Sequence, residues 1–158
     1  IMVILAWVAG LLFLAYLFQQ FLDDRYNPNQ HLEMRVGDDG VREVVLQRNR
    51  QGHYLADGLI NGRVTTFLVD TGATDVAVSE RLARGLGLDF GPRITVMTAA
   101  GPAPAWRARL DRVSIGGLER ENVRATITPG LGSQALLGMS FLKHFSIRQE
   151  DGRLVIEN

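Results

Sequence analysis

Phe67-Leu68-Val69-Asp70-Thr71-Gly72-Ala73-Thr74-Asp75-Val76-Ala77-Val78-Ser79 is the stretch that decides how this chain is read. An apolar strand delivers a carboxylate at its end, and a hydroxyl and a glycine follow at once. A carboxylate that activates water needs a hydrogen-bonded, partly dehydrated seat, and glycine lets backbone or substrate approach closely. The bare Asp-Thr-Gly string also fits an ordinary strand exit. The Phe-Leu-Val before it and Ala73-Thr74-Asp75 after it make the pattern longer and less accidental.

Outward from this stretch, turn signals recur at short spacing. His53 to Ile60 and Arg63 to Val69 flank Asn61-Gly62, a strong hairpin signal. Upstream, Val41 to Arg48 is a first strand candidate. Downstream, Ile94 to Thr98 and Trp106 to Leu110 flank Ala99 to Ala105, which contains Gly101, Pro102 and Pro104. Leu110 to Ile115 and Asn122 to Ile127 flank Gly116-Gly117, and Ser146 to Gln149 and Arg153 to Ile156 flank Asp151-Gly152. Short helices are predicted at Glu80 to Arg84, with Ser79 as N-cap, and at Ser140 to Phe145. The spacing predicts an all-β domain, a small closed barrel or sandwich with one or two short helices. A weak internal echo relates Gly62 to Gly117, 55 residues apart; the same offset carries Asp70 onto Ala125. Only one half has an acid at the strand end.

The N-terminal Ile1 to Phe18 is uncharged, and no charge appears before Asp23. Eighteen helical residues span about 27 Å and Gln19 to Leu22 extend this to about 33 Å, against a hydrocarbon core of about 30 Å. Trp7 lies within the run, while Tyr16, Phe18 and Phe21 crowd one end, as interfacial aromatics do. A secretory signal would be shorter and would lead into a small-x-small site, which LFQQFLDDRYNP does not offer. The expected organisation is a transmembrane anchor at 1–22, a polar linker at 23–40 and the all-β domain at 41–158. Arg25 is the one basic residue just after the span, which favours a periplasmic, non-cytoplasmic domain.

Composition narrows the function classes. The 158 residues carry 17 basic and 17 acidic side chains, and a net charge of zero argues against nucleic acid as a partner. With no cysteine, disulfide scaffolds, thiol catalysis and thiolate metal sites are excluded. Lys143 is the single lysine. His31, His53 and His144 lack metal-ligand spacing, so neither a metal nor a cofactor is expected. Asp23-Asp24 and Asp38-Asp39 read as solvated linker charges. Trp106 and Met97 read as core or hinge packing.

Three stretches together resemble the retroviral-type (retropepsin-like) aspartic proteases, and most of all their bacterial membrane-anchored relatives. Leu68 to Asp75 is similar to the catalytic loop. Thr98-Ala99-Ala100-Gly101 sits where that family has its mobile flap. Leu136-Leu137-Gly138-Met139-Ser140-Phe141-Leu142 looks like the hydrophobic-hydrophobic-Gly element and late helix; the resemblance puts 136–138 behind the catalytic loop, and those residues are taken as structural. The similarity covers about residues 50–158.

Aspartic proteolysis needs two adjacent carboxylates sharing a proton, one activating water and one polarising the scissile carbonyl. This chain has one suitable Asp, so two copies must meet in a symmetric homodimer, each contributing Asp70. Such a pair cannot be doubly ionised, which predicts a rate optimum on the acidic side of neutral. By resemblance, Asp70, Thr71 and Gly72 form the catalytic set. Thr71 braces the dyad, and Gly72 accepts substrate backbone. Ala73, Thr74 and Asp75 line the subsites, and the flap from Thr98 to Ala105, with Thr98, Ala99, Ala100 and Gly101 binding substrate, closes over an extended peptide that pairs with it as an added strand. The implied activity is that of a membrane-anchored aspartic endopeptidase. The alternative is a non-catalytic β-barrel module that dimerises or binds peptide, favoured by prolines that leave the flap fewer donors.

Overall fold

The computed structural model describes residues 2–37 and 40–158; Ile1, Asp38 and Asp39 lie outside the described residues, and so does the reading of Asp38-Asp39 as solvated charges. Among the described residues, helix α1 (Met2–Tyr26) is followed by eleven strands and two short helices. The strands are β1 (Arg35–Val36), β2 (Arg42–Gln47), β3 (Leu55–Ile60), β4 (Arg63–Val69), β5 (Val76–Ser79), β6 (Arg93–Thr98), β7 (Gly101–Ile115), β8 (Leu118–Thr128), β9 (Ala135–Leu137), β10 (Ser146–Glu150) and β11 (Arg153–Glu157). Helix α2 (Glu80–Gly85) follows β5, and α3 (Met139–Leu142) follows β9.

Seven strands form one sheet in the order β3-β4-β9-β5-β8-β7-β6, and β3 also pairs with β7. That extra pairing closes six strands into the expected barrel and leaves β6 outside, carried by β7 alone. Closure removes the exposed edges within the barrel, and the β6–β7 ribbon alone keeps open ones in this sheet. The hairpins form where backbone chemistry allows. Asn61-Gly62 and Asp151-Gly152 all have positive φ, as a two-residue turn matching the strand twist requires. The remaining sheet, β1-β2-β11-β10, joins the N-terminal segment to the C-terminus. Its Val44, Leu46, Leu154 and Ile156 share one core with Phe67, Leu110, Ile127 and Phe141 of the barrel and α3.

Helix α1 is apolar on all sides as far as Phe18 and carries Gln19, Gln20, Asp23, Asp24 and Arg25 in its last turns. Among the described residues it is the one helix long and apolar enough to cross a membrane, and its apolar window buries nothing against the domain. Its last turn extends beyond Leu22 and docks. Asn27 and Asn29, within the polar 23–40 segment, are almost fully buried.

Two local expectations changed form. The second helix is a single turn, Met139–Leu142, shorter than Ser140 to Phe145. The interval Ala99 to Ala105 shrinks to an Ala99-Ala100 turn, because β7 starts at Gly101 and runs unbroken through Ile115. Ser79 caps α2 as its sequence predicts, its Oγ accepting from the Leu82 N–H at 3.1 Å. Ser79→Ala should therefore lower stability by about 1 kcal/mol in urea melts, with the denaturant slope unchanged.

Candidate active site

β4 runs parallel to β9, with Phe67, Leu68 and Val69 opposite Ala135, Leu136 and Leu137. Phe67 is fully buried, so the strand is pinned three residues before the carboxylate. The Asp70 N–H donates to the Leu137 carbonyl at 3.2 Å, and there the ladder stops. The chain then folds back on itself. The Gly72 N–H donates to Asp70 Oδ1 at 2.8 Å, and the Ala73 N–H donates to the Asp70 carbonyl at 3.2 Å. One carboxylate oxygen is thus oriented by backbone, while Asp70 as a whole is half-buried. Thr71, Gly72 and Thr74 are exposed, Ala73 is half-buried, and the Thr71 hydroxyl has no partner among the described residues.

The back of this loop is laced to α3. Met139 N–H donates to the Ala73 carbonyl at 2.8 Å, and Ser140 N–H donates to the Thr74 carbonyl at 2.9 Å. Ser140 Oγ accepts from the Val76 N–H at 2.9 Å and donates to the Arg124 carbonyl at 2.8 Å. Buried hydroxyls satisfied in both directions hold their surroundings in one arrangement. At Gly138 the constraint is steric: a Cβ there would lie 2.2 Å from the Asp75 carbonyl oxygen. A Cβ on Gly72 would press on Asp70 Oδ1 from 3.1 Å.

Asp75 sits at the far end of the loop with its Oδ1 3.3 Å from Arg124 Nη2, and the carboxylate is 26% exposed. Sequence reasoning did not find Arg124. It lies 49 positions away on β8, and only the β5–β8 pairing, with Val76 opposite Ala125, brings it to the loop. Half-exposed pairs of this kind contribute about 0–1 kcal/mol, so its effect is on the direction of the Asp75 carboxylate.

Thr98, Ala99, Ala100 and Gly101 stand apart from the catalytic loop at the tip of the β6–β7 ribbon. Thr98 Oγ1 donates to the Gly101 carbonyl at 2.7 Å and accepts from the Ala100 N–H at 3.2 Å. Met97 is 79% exposed there, and so is not core. Trp106, half-buried, packs edge-on against Phe90 at 5.5 Å. The prolines find places that the ladder tolerates. Arg107 directs both its N–H and its carbonyl at the β6 side, to Pro92 and Gly91. Alternation then turns Pro102 and Pro104 away from β6. On that side the pairing of β7 with β8 reaches only as far as Trp106, so no ladder bond is missing. The ribbon's open side carries the two proline carbonyls as acceptors and lacks the two donors. No three His, Asp or Glu side chains cluster as metal ligands among the described residues.

Residues 56–144 match the family model described as "gag-polyprotein putative aspartyl protease". The chain is 40% identical over 115 residues to an uncharacterized protein from the cobV 5′ region of a Sinorhizobium species, covering 70% of this chain and 49% of that one. It is 34% identical over 121 residues to an uncharacterized protein of Rickettsia prowazekii (strain Madrid E), covering 75% and 52%. It therefore spans about half the length of these curated relatives. A retropepsin-like aspartic protease from Rickettsia conorii superposes with a TM-score of 0.63 at 33% identity, covering 72% of this chain and 97% of that structure. An EIAV protease solved with the inhibitor HBY-793 shares the fold, with a TM-score of 0.50 at 17% identity, covering 61% and 90%.

Proposed function

This chain belongs to the retropepsin-like aspartic protease family, and on that premise we propose that it is a membrane-anchored, homodimeric aspartic endopeptidase. The observation that carries the reading is a lone strand-end carboxylate. Asp70 ends β4 in an open loop, while the position related to it by the internal echo is Ala125, buried within β8. One chain cannot supply a dyad. The exposed loop and the unpartnered Thr71 hydroxyl support a second copy meeting the first at this point.

In the dimer, the ionised Asp70 of one protomer takes a proton from water as the water oxygen adds to the scissile carbonyl carbon. The protonated Asp70 of its partner gives its proton to the carbonyl oxygen. Collapse of the tetrahedral intermediate breaks the C–N bond, with a proton passing to the leaving nitrogen. Ala73, Thr74 and Asp75 line the bound peptide, and Thr98 to Gly101 pair with it as an extra strand. Residues 1–22 anchor the chain in one membrane, 23–40 connect, and 41–158 form the protease domain on the periplasmic side. Confinement of both protomers to one bilayer raises their effective concentration, so weak association suffices for activity.

The test incubates the full chain in detergent micelles with a diverse peptide mixture from pH 3 to 7, cut sites being read by mass spectrometry. Expected are defined cuts, fastest below neutral pH, at a rate rising more steeply than first order as chain concentration increases. A folded, demonstrably dimeric chain that makes no cut at any pH would overturn the proposal in favour of a peptide-binding module.

A further inference from the structure

The join between α1 and the barrel is built as a rigid joint. A polar tether would leave its side chains in water; here Asn27, Asn29 and Asn49 are 5%, 3% and 7% exposed. Asn29 uses its whole side chain. Its Nδ2 donates to the Gln47 and Leu55 carbonyls at 2.8 and 2.6 Å, and its Oδ1 accepts from the Gln47 N–H at 2.7 Å. Its backbone N–H donates to Asn27 Oδ1 at 3.0 Å, and its carbonyl accepts from the Asp57 N–H at 3.2 Å. The helix terminus itself is held too. Asn49 Nδ2 donates to the Tyr26 carbonyl at 3.1 Å, and Gln134 Nε2 hydrogen-bonds the Tyr26 hydroxyl. Leu32 and Met34 then pack on the core, and β1 pairs with β2. Buried amides with every group satisfied are expensive to pull apart, because each polar group left unpaired keeps its full desolvation cost.

This joint fixes the distance between membrane and active site. Asn27 Nδ2 and Thr66 Oγ1 both donate to Asp57 Oδ1, at 2.8 and 2.7 Å, so the residue after the helix is linked to Thr66 of β4 through Asp57 of β3. Asp70 lies four residues further along β4, about 13 Å of strand. Tyr26 lies four helical residues, about 6 Å, beyond Leu22, where the apolar stretch ends. The step from Tyr26 to Asn27 adds about 4 Å and the hydrogen-bonded side chains about 11 Å, so whatever the tilt of the helix Asp70 is confined to within about 35 Å of the hydrocarbon boundary, of which the headgroup layer takes about 5–8 Å.

We propose that the joint acts as a height gauge, making the natural substrates juxtamembrane segments of proteins held in the same membrane and cut close to the bilayer surface. The inference rests on the protease reading and on α1 crossing the bilayer, and it adds the substrate class.

The test uses full-length chain reconstituted in vesicles with single-span substrates that carry one cleavable sequence, chosen from the peptide-mixture cuts. A continuous helical spacer, semi-rigid at about 1.5 Å per residue, lifts that sequence about 15 Å or about 60 Å above the bilayer. A soluble peptide of the same sequence reports intrinsic activity. The low site should be cut at least about tenfold faster than the high one. Inserting twenty Gly/Ser residues between Tyr26 and Asn27 adds a flexible reach of about 25 Å. That should shrink the difference while leaving the soluble-peptide rate unchanged. Equal cutting of low and high sites by the unmodified chain would overturn the height gauge and leave the protease reading standing. Failure to cut even the soluble peptide would overturn both. The comparison within the unmodified chain decides the matter even if the insertion variant misfolds.

Discussion

Asp70→Asn should abolish peptide cleavage while leaving the barrel folded. The side chain is half-buried at the end of β4, and its Oδ1 accepts a 2.8 Å bond from the Gly72 N–H. An asparagine amide oxygen can accept the same bond in the same volume, so the change in stability should stay within about 1 kcal/mol. Chemistry fares differently. An amide neither takes a proton from water nor gives one to a carbonyl oxygen. Loss of one general acid–base group costs about 10²–10⁴-fold, and a symmetric variant loses both members of the dyad at once. The same variant also tests the dimer. Added to a fixed amount of wild-type chain under exchange, an equal amount should leave about half of the wild-type homodimers, and a ninefold excess about one tenth. Cleavage rates across that titration, with thermal melts as the folding control, read both effects. Wild-type activity unmoved by excess variant would mean that each chain works alone, and the shared dyad would be wrong.

What the sequence made legible follows the range of the interactions involved. Hairpins are written locally: Asn61-Gly62 and Asp151-Gly152 adopt the positive φ that their residue types permit, and the strands around them formed within a residue or two of expectation. Barrel closure is not local. The β3–β7 pairing sets Gly58 opposite Ile115, and no pattern in either strand announces the other. β5 and β9, four and three residues long, are too short for period-two alternation to separate from loop. The Leu136-Leu137-Gly138 signal was visible as a motif that the resemblance places behind the catalytic loop, yet its pairing with β4 and the individual bonds that clamp the loop needed the fold. Pro102 and Pro104 read as breaks because proline lacks a donor; which side the missing donor faces depends on register, and register put it outward. The Asn27-Pro28-Asn29 string reads as loop for the same kind of reason. Composition gives the polarity of a side chain but not whether buried carbonyls wait for it.

Gly138→Ala should cost both stability and turnover, and it separates the clamp from the chemistry. Gly138 has φ −93° and ψ −173°, a conformation open to any residue, so backbone freedom is not why glycine stands there. Space is. An added Cβ would sit 2.2 Å from the Asp75 carbonyl oxygen, 2.7 Å from its carbon and 2.8 Å from the Ala73 carbonyl oxygen. All three are backbone atoms of the catalytic loop, and none can rotate aside. The loop and α3 must part by roughly an ångström, at an overpacking cost of about 1–3 kcal/mol. The bonds between them, Met139 N–H to Ala73 and Ser140 N–H to Thr74, stretch with that movement. Asp70 is tied to the same loop through Gly72 and Ala73, so the shift reaches the carboxylate. Misplacement on that scale costs about 10²-fold in rate. Gly132→Ala is the control: nothing lies within 4 Å of a Cβ there, so stability and cleavage should both hold. Thermal melts and kcat/KM on one peptide read the pair. A Gly138→Ala chain as stable and as active as wild type would mean that the 136–142 element does not position the dyad, whereas a folded chain with its rate cut about a hundredfold would locate catalytic precision in a steric fit behind the aspartate.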